Sequence, residues 1–411
     1  MNRRIDDRRT PRDNMSHGAV GALTRVCVIV GTRPEVIKMA PVIHRLRSKP
    51  AVFETVIVTT AQHREMLAQA METFDIVPHV DLALMSTRQA LADFTSRALL
   101  ALSSCLTELK PDVVLVQGDT TTVMAASLAA HYLGIPIGHV EAGLRSGNLR
   151  NPFPEELNRR LASAVADLHF APTEQAKENL LREGISAEQI LVTGNTIVDA
   201  LQRIPRRERF ATEALNTIPW NEPVVLTTVH RRENIGEPLR QICAAMCDLT
   251  QRFPRLHLLF PVHLNPHVRD IVIDELSGND RIVLVDPLPY ADLLEAIRRS
   301  RFVMTDSGGI QEECPSLRTP VLVLRKNTER PEVVTSGFGR VVGTEQAAIV
   351  AAAGRLLSDE DARLAMTSGE NPFGDGHAAE RIVDMLEQRM VRRRPPTPRS
   401  GIRAVGELPS S

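Results

Sequence analysis

The feature that most limits the fold is an alternation. Short runs rich in Val, Ile and Leu recur along the chain, each ending in small or polar residues and leading into a helical pattern. In the first half these runs fall at 26–30, 53–59, 113–116, 135–140, 168–171 and 190–193. A stretch at 201–222 then carries Arg and Pro without a sustained apolar period, and a second series follows at 224–229, 256–260, 281–285, 302–305 and 320–324, with a shorter run near 340–342. Buried β-branched runs separated by helices specify parallel strands with crossover helices, and so an α/β sheet covered on both faces. The expected fold class is therefore α/β, with two Rossmann-like doubly wound domains facing across a cleft, at 25–200 and 223–391, joined by a linker at 201–222. No convincing sequence repeat relates the two halves.

Composition narrows the function more by exclusion than by indication. With 411 residues, 43% apolar and 24% charged, the chain has enough material for two substantial cores. Its net charge of −1 points away from nucleic-acid and membrane-surface partners. Five cysteines without a C-x-x-C pair fit reduced thiols in a cytoplasm. The twelve histidines show no metal-ligand spacing, so no metal is expected. No apolar run approaches the roughly 18 residues of a membrane span. Residues 1–24 mix arginines with aspartates, residues 392–411 begin with three arginines and two prolines, and both stretches read as disordered tails.

Chemistry concentrates where strand-like runs end, which is where open α/β sheets bind their ligands. The run at 302–305 leads into Asp306-Ser307-Gly308-Gly309 and a helix start carrying Glu312 and Glu313. Unpaired N–H groups and the helix dipole favour a phosphate there, and Glu313 is placed to accept from vicinal hydroxyls such as those of a ribose. The plain alternative is that Ser307 only caps the helix and that Glu312 and Glu313 face water. The first run ends in Gly31-Thr32-Arg33-Pro34-Glu35, which is not G-x-G-x-x-G and gives no support to a dinucleotide cofactor. Arg33 is read as a phosphate ligand, against a surface salt bridge. His230 follows the run at 224–229 as a phosphate-side residue, against a structural histidine. Lys38, on the first helix, belongs to the same site or is an ordinary exposed lysine. Asp119, Glu141 and Glu155 follow first-domain strands or open a helix, so on their own they read as helix caps rather than as catalytic acids.

Motifs in order from Gly31 to about Gly376 resemble the bacterial non-hydrolysing UDP-N-acetylglucosamine 2-epimerases. They are GTRPEVIKMAP (31–41), TAQHREML (60–67), QGDTTT (117–122), GHVEAGLRSG (138–147), PEELNR (154–159), TGNTIVDAL (193–201), HRRENIG (230–236), PVHLNP (261–266), TDSGGIQEE (305–313) and TERPE (328–332). The resemblance implies a GT-B type pair of domains, a cytoplasmic homodimer, and interconversion of UDP-GlcNAc and UDP-ManNAc without metal or nicotinamide. It implies catalytic roles for Asp119, Glu141, Glu155 and His230, and substrate contacts for Arg33, Lys38, Arg159, Ser307, Gly308, Gly309 and Glu313. Gln62, His63 and Arg64 resemble a segment that binds a second UDP-GlcNAc as activator in some members; the same residues would otherwise line the substrate pocket. Gln117 and Val229 stand where the family pattern leads one to expect His and Gly.

That activity has definite requirements. C2 of an N-acetylhexosamine has no adjacent carbonyl to hold a carbanion, so UDP must leave C1 before or as the C2 proton is lost. The resulting 2-acetamidoglucal then takes a proton on its other face and UDP adds back. One cleft must supply cations or N–H groups for the diphosphate, carboxylates for the proton, and closure against water. Crowded carboxylates are expected to repel one another and raise one pKa. Competing readings are a glycosyltransferase of the same shape, a nucleotide-sugar sensor and a hydrolysing epimerase. The first needs an acceptor pocket and the second needs no proton acceptors, while the third differs in whether water reaches the intermediate.

Overall fold

The computed structural model describes residues 23–60, 64–84 and 89–391. Its first sheet contains β1 (Thr24–Val30), β2 (Phe53–Thr59), β3 (Val80–Asp81), β4 (Val113–Gln117), β5 (Ile137–Val140), β6 (Leu168–Ala171) and β7 (Ile190–Val192), in the spatial order β3-β2-β1-β4-β5-β6-β7. The second contains β8 (Val224–Thr228), β9 (His257–Pro261), β10 (Ile282–Val285), β11 (Phe302–Thr305), β12 (Val321–Val323) and β13 (Gly339–Val341), ordered β10-β9-β8-β11-β12-β13. Neighbouring strands in both are parallel, as in β1 with β4 and β8 with β11. Each apolar run of the sequence forms a strand. The two-residue β3 at the sheet edge is the addition, too short to leave a run.

Both sheets reverse strand order at one place, between β1 and β4 and between β8 and β11. A crevice opens at such a point because the helices that follow the two strands leave to opposite faces. The turns after β1 and β4 carry Arg33 and Asp119, and those after β8 and β11 carry His230 and Ser307. Gly31 fits this packing closely: a Cβ there would meet the Thr60 and Thr122 hydroxyls at 2.5 Å.

The connection between the sheets is packed rather than free. The Thr196–Arg203 helix occupies its first residues, and Ile204, Phe210, Leu215 and Ile218 are buried beyond it. Asp292, on the Tyr290–Arg299 helix, accepts from the backbone N–H of Ala211 at 3.1 Å and Thr212 at 2.7 Å, while Arg299 lies over the Phe210 ring at 4.7 Å. The chain then crosses back. The Ala378–Leu386 helix packs against the first-domain helix Arg33–Arg47, with Ile382, Val383 and Leu386 in one buried cluster with Val42, Ile43 and Leu46. Arg45 pairs with Glu380 at 2.7 Å and Lys49 with Asp384 at 2.8 Å on the partly exposed rim of this contact. Thr24, read from sequence as tail, opens β1; residues 1–22 and 392–411 lie outside the described residues. Among the described residues no helix is long and apolar enough to cross a membrane.

Candidate active site

The second-domain helix Gly308–Ser316 starts at the crevice with Ser307 as its N-cap. The Ser307 hydroxyl accepts from the Ile310 N–H at 3.5 Å, so Ser307 does cap the helix. The plain alternative fails at the next step, because Glu312 is fully buried and Glu313 nearly so. Space above the helix start is open: a Cβ on Gly309 would meet only the Ser307 hydroxyl at 3.9 Å. A Cβ on Gly308 would lie 3.5 Å from an Arg231 guanidinium nitrogen and 3.9 Å from one of Arg330. Two cations therefore flank the unpaired N–H groups, which is the arrangement a diphosphate requires. Arg231 and Arg330 were not singled out from sequence, although HRRENIG and TERPE contain them.

Glu313 accepts from the Tyr290 hydroxyl at 2.9 Å. Burial raises its carboxyl to about 7, partly opposed by the Tyr290 hydrogen bond and by the positive charge of Arg33 across the cleft. Among the described residues Arg33 has no carboxylate within ion-pair distance, so its surface salt bridge does not form. His230 Nδ1 lies 3.1 Å from Asp306, which also accepts from the backbone N–H of His230 and Arg231 and from the Asn234 amide. Burial works to raise Asp306, but the hydrogen bond from His230 and its other donors hold it below the ordinary carboxylate value. That carboxylate fixes the imidazole and favours the proton on Nδ1.

On the facing side the acids fall into two groups. Asp119 pairs with Arg159 at 2.6 Å, and Arg159, itself buried, also reaches Glu156 at 3.2 Å and Glu329 of the second domain at 3.9 Å. Asp119 is not the cap of the following helix; Thr120 is, accepting from the Val123 N–H at 3.3 Å. Glu155 opens the Glu155–Val165 helix, and burial followed by the charge of Asp119 raises its carboxyl. Behind this group the fully buried Glu35 accepts from the Gly31 and Thr32 N–H groups and from the Thr120 hydroxyl, tying the Arg33 turn to the Asp119 turn. Burial, relieved by those three hydrogen bonds, lifts Glu35 to about 7.

The other group centres on Glu141, at positive φ (64°) just beyond β5. A non-glycine residue held there carries local strain, which costs on the order of 1–3 kcal/mol and survives only where surrounding contacts enforce it. The enforcing contacts are visible. Lys38 Nζ lies 2.6 Å from Glu141 and 2.7 Å from Glu312, an ion pair across the cleft. Arg330 reaches back to Glu141 at 3.6 Å and is hydrogen-bonded to Glu312. Gln117 donates to Glu141 as well, so the position where His was expected touches the acid directly. Lys38 is 7% exposed and is no ordinary surface lysine. Burial raises Glu141, with Lys38 opposing and Glu312 reinforcing. Raised carboxyls thus owe more to desolvation than to the mutual repulsion of Asp119, Glu141 and Glu155. Gln62 and His63 lie outside the described residues, and Arg64 begins the Arg64–Thr73 helix.

Fold and site together define a two-domain GT-B type protein whose cleft sets a helix start flanked by two arginines against buried carboxylates. Residues 44–387 match the family model for UDP-N-acetylglucosamine 2-epimerase. The chain is 47% identical over 362 residues to the UDP-N-acetylglucosamine 2-epimerase of Bacillus subtilis, covering 88% of this chain and 94% of the relative. It is 46% identical over 374 residues to that of Escherichia coli K12, covering 89% and 99%. A crystal structure of UDP-GlcNAc 2-epimerase from Neisseria meningitidis bound to UDP-GlcNAc superposes with a TM-score of 0.85 at 43% identity, over 89% of this chain and all of that one. The chain belongs to the UDP-N-acetylglucosamine 2-epimerase family.

Proposed function

We propose that the chain interconverts UDP-GlcNAc and UDP-ManNAc by eliminating UDP to a 2-acetamidoglucal and adding it back. The observation that carries this reading is the meeting of two unlike sites in one cleft, a helix start flanked by Arg231 and Arg330 and, across from it, Glu141 in a buried ion cluster. Family membership gives the substrate. As the C1–O bond breaks, its electron pair leaves with UDP, held by the Gly308 and Gly309 N–H groups, the two arginines and Arg33. The C2–H pair forms the C1–C2 double bond, and a carboxylate takes the proton. A second acid delivers a proton to the opposite face of C2, and UDP returns to C1. C2 ends at its original oxidation state, so the net reaction calls for no hydride acceptor.

Asp119, Glu141 and Glu155 are the proton-transfer acids of this reading, with Arg159 orienting Asp119 and Glu313 accepting from the ribose. His230, held by Asp306, faces the diphosphate. The protein works as a cytoplasmic homodimer; five unpaired cysteines suit that compartment, and the exposed Leu100 and Tyr132 on neighbouring helices give a partner copy apolar surface. The test is incubation of purified protein with UDP-GlcNAc in D2O. UDP-ManNAc with deuterium at C2 is expected. Product retaining its C2 hydrogen overturns the elimination, and accumulation of UDP with free ManNAc makes the protein a hydrolysing enzyme.

A further inference from the structure

Glu312 has no part in binding or proton transfer as described above, yet it is among the most enclosed charged groups of the molecule, with none of its side chain exposed. It lies on the Gly308–Ser316 helix between the proposed phosphate site and the Glu313 carboxyl. Its two oxygens are divided between two cations. One is 2.7 Å from Lys38 Nζ, and the other takes the hydrogen bond from Arg330 Nε. The same two cations are the ones that face Glu141. Lys38 and Glu141 come from the first domain, Glu312 and Arg330 from the second, and the four charges sum to zero only while Glu312 is ionised. Without it, two buried cations would bear on Glu141, offset in part only by Glu329 at 3.9 Å from Arg330.

We propose that Glu312 is a positioning residue for the epimerisation: by neutralising Lys38 and Arg330 it keeps Glu141 able both to take up and to give back the C2 proton. The inference rests on the functional reading above. Whichever face of C2 Glu141 serves, it is a carboxylate when the reaction runs one way and a carboxylic acid when it runs the other. An acid locked in its ionised form by two unbalanced cations would complete only half of that cycle. The surroundings support this division of labour. Burial works against ionisation of Glu312, but Arg330 and then Lys38 outweigh it and hold Glu312 below the ordinary carboxylate value, so it serves as the permanent anion while Glu141 is raised. The other groups facing the cluster are Gln117 beside Glu141, Glu329 at 3.9 Å from Arg330, and Glu313 on the same helix.

The experiment is the pH dependence of kcat at saturating UDP-GlcNAc, where the Glu313-dependent binding no longer enters, in the parent, Glu312→Gln and Glu312→Asp, with folding checked by circular dichroism and gel filtration. In Glu312→Gln the acidic limb should move down by about one pH unit, as expected for a carboxyl left beside uncompensated cations. Its kcat near neutrality should fall on the order of tenfold or more. Glu312→Asp keeps the charge and should leave the limb where the parent has it. A residue that merely held the domains together would lower activity at every pH without moving the limb, so an unmoved limb in Glu312→Gln overturns the proposal. Equal displacement in Glu312→Asp also overturns it. If Glu312→Gln does not fold, the pair Glu312→Gln with Arg330→Gln restores neutrality around Glu141, and its limb should match the parent's; a displaced limb there counts against the proposal. A parent that makes no UDP-ManNAc would instead remove the functional reading itself.

Discussion

Replacing Glu313 by Gln should weaken UDP binding by an amount that depends on pH, and the dependence can be worked from the site. Glu313 is buried, bonded to the Tyr290 hydroxyl, and raised to about 7. In the proposed complex its carboxylate accepts from ribose hydroxyls. Hydrogen bonds to a charged group contribute about 1.5–3 kcal/mol, or roughly 10- to 150-fold in Kd. That contribution requires the ionised form, about nine-tenths of molecules at pH 8 and about a tenth near pH 6. Glu313→Gln keeps the shape and removes the charge, so its deficit should be largest at pH 8 and shrink toward pH 6. The β-phosphate of UDP titrates over the same interval, but this affects parent and variant alike and cancels in the ratio of their Kd values. Isothermal titration at half-unit steps gives that ratio. A ratio constant from pH 6 to pH 8 would show that Glu313 does not bind UDP as a titrating carboxylate, and a ratio of one throughout would remove it from the site.

Other expectations follow from the same geometry. Asp119→Asn and Glu141→Gln should each lower kcat by on the order of a hundredfold or more while leaving UDP affinity near the parent's, read by initial rates beside calorimetry. Lys38→Met deprives Glu141 and Glu312 of the cation they share across the cleft, a loss of about 3–5 kcal/mol; the variant should adopt a larger radius of gyration than the parent in small-angle scattering, and identical profiles would refute a role for this ion cluster in holding the domains together. Glu35 is raised from 4.5 to about 7, so its contribution to stability is complete below pH 4.5 and is lost as pH rises through 7, by roughly 3 kcal/mol. Melting temperatures should therefore fall more steeply between pH 5 and pH 8 in the parent than in Glu35→Gln, and parallel curves would contradict the assignment.

The reach of the sequence can be traced residue by residue. Strands at 26–30 or 302–305 were legible because a buried parallel strand needs an uninterrupted apolar run, and their polar ends pointed to Arg33, Asp119, Glu141, His230 and Ser307 because ligands collect there. What stayed hidden is pairing over distance. Glu313 read as a ribose acceptor at a helix start, but Glu312 beside it had no role, since nothing local says that Lys38, 274 positions earlier, and Arg330 will meet Glu312 in the interior. Asp306 read as part of a turn, although it holds His230 and Asn234. Arg159 read as a substrate contact, and its pairing with Asp119 at 2.6 Å came only with the fold. In each case the residue type was visible, and its tertiary partner was not.

The return of the Ala378–Leu386 helix to the first domain bears on how the chain is made. Synthesis proceeds from the N-terminus, and domains generally fold as they emerge. Here the Arg33–Arg47 helix, present almost from the start, waits for Ile382, Val383 and Leu386, supplied some 340 residues later. Until then part of its apolar face has no cover, so a nascent chain carrying only the first sheet exposes hydrophobic surface to its neighbours. The first domain is thus completed last, by the helix that closes the second crossing.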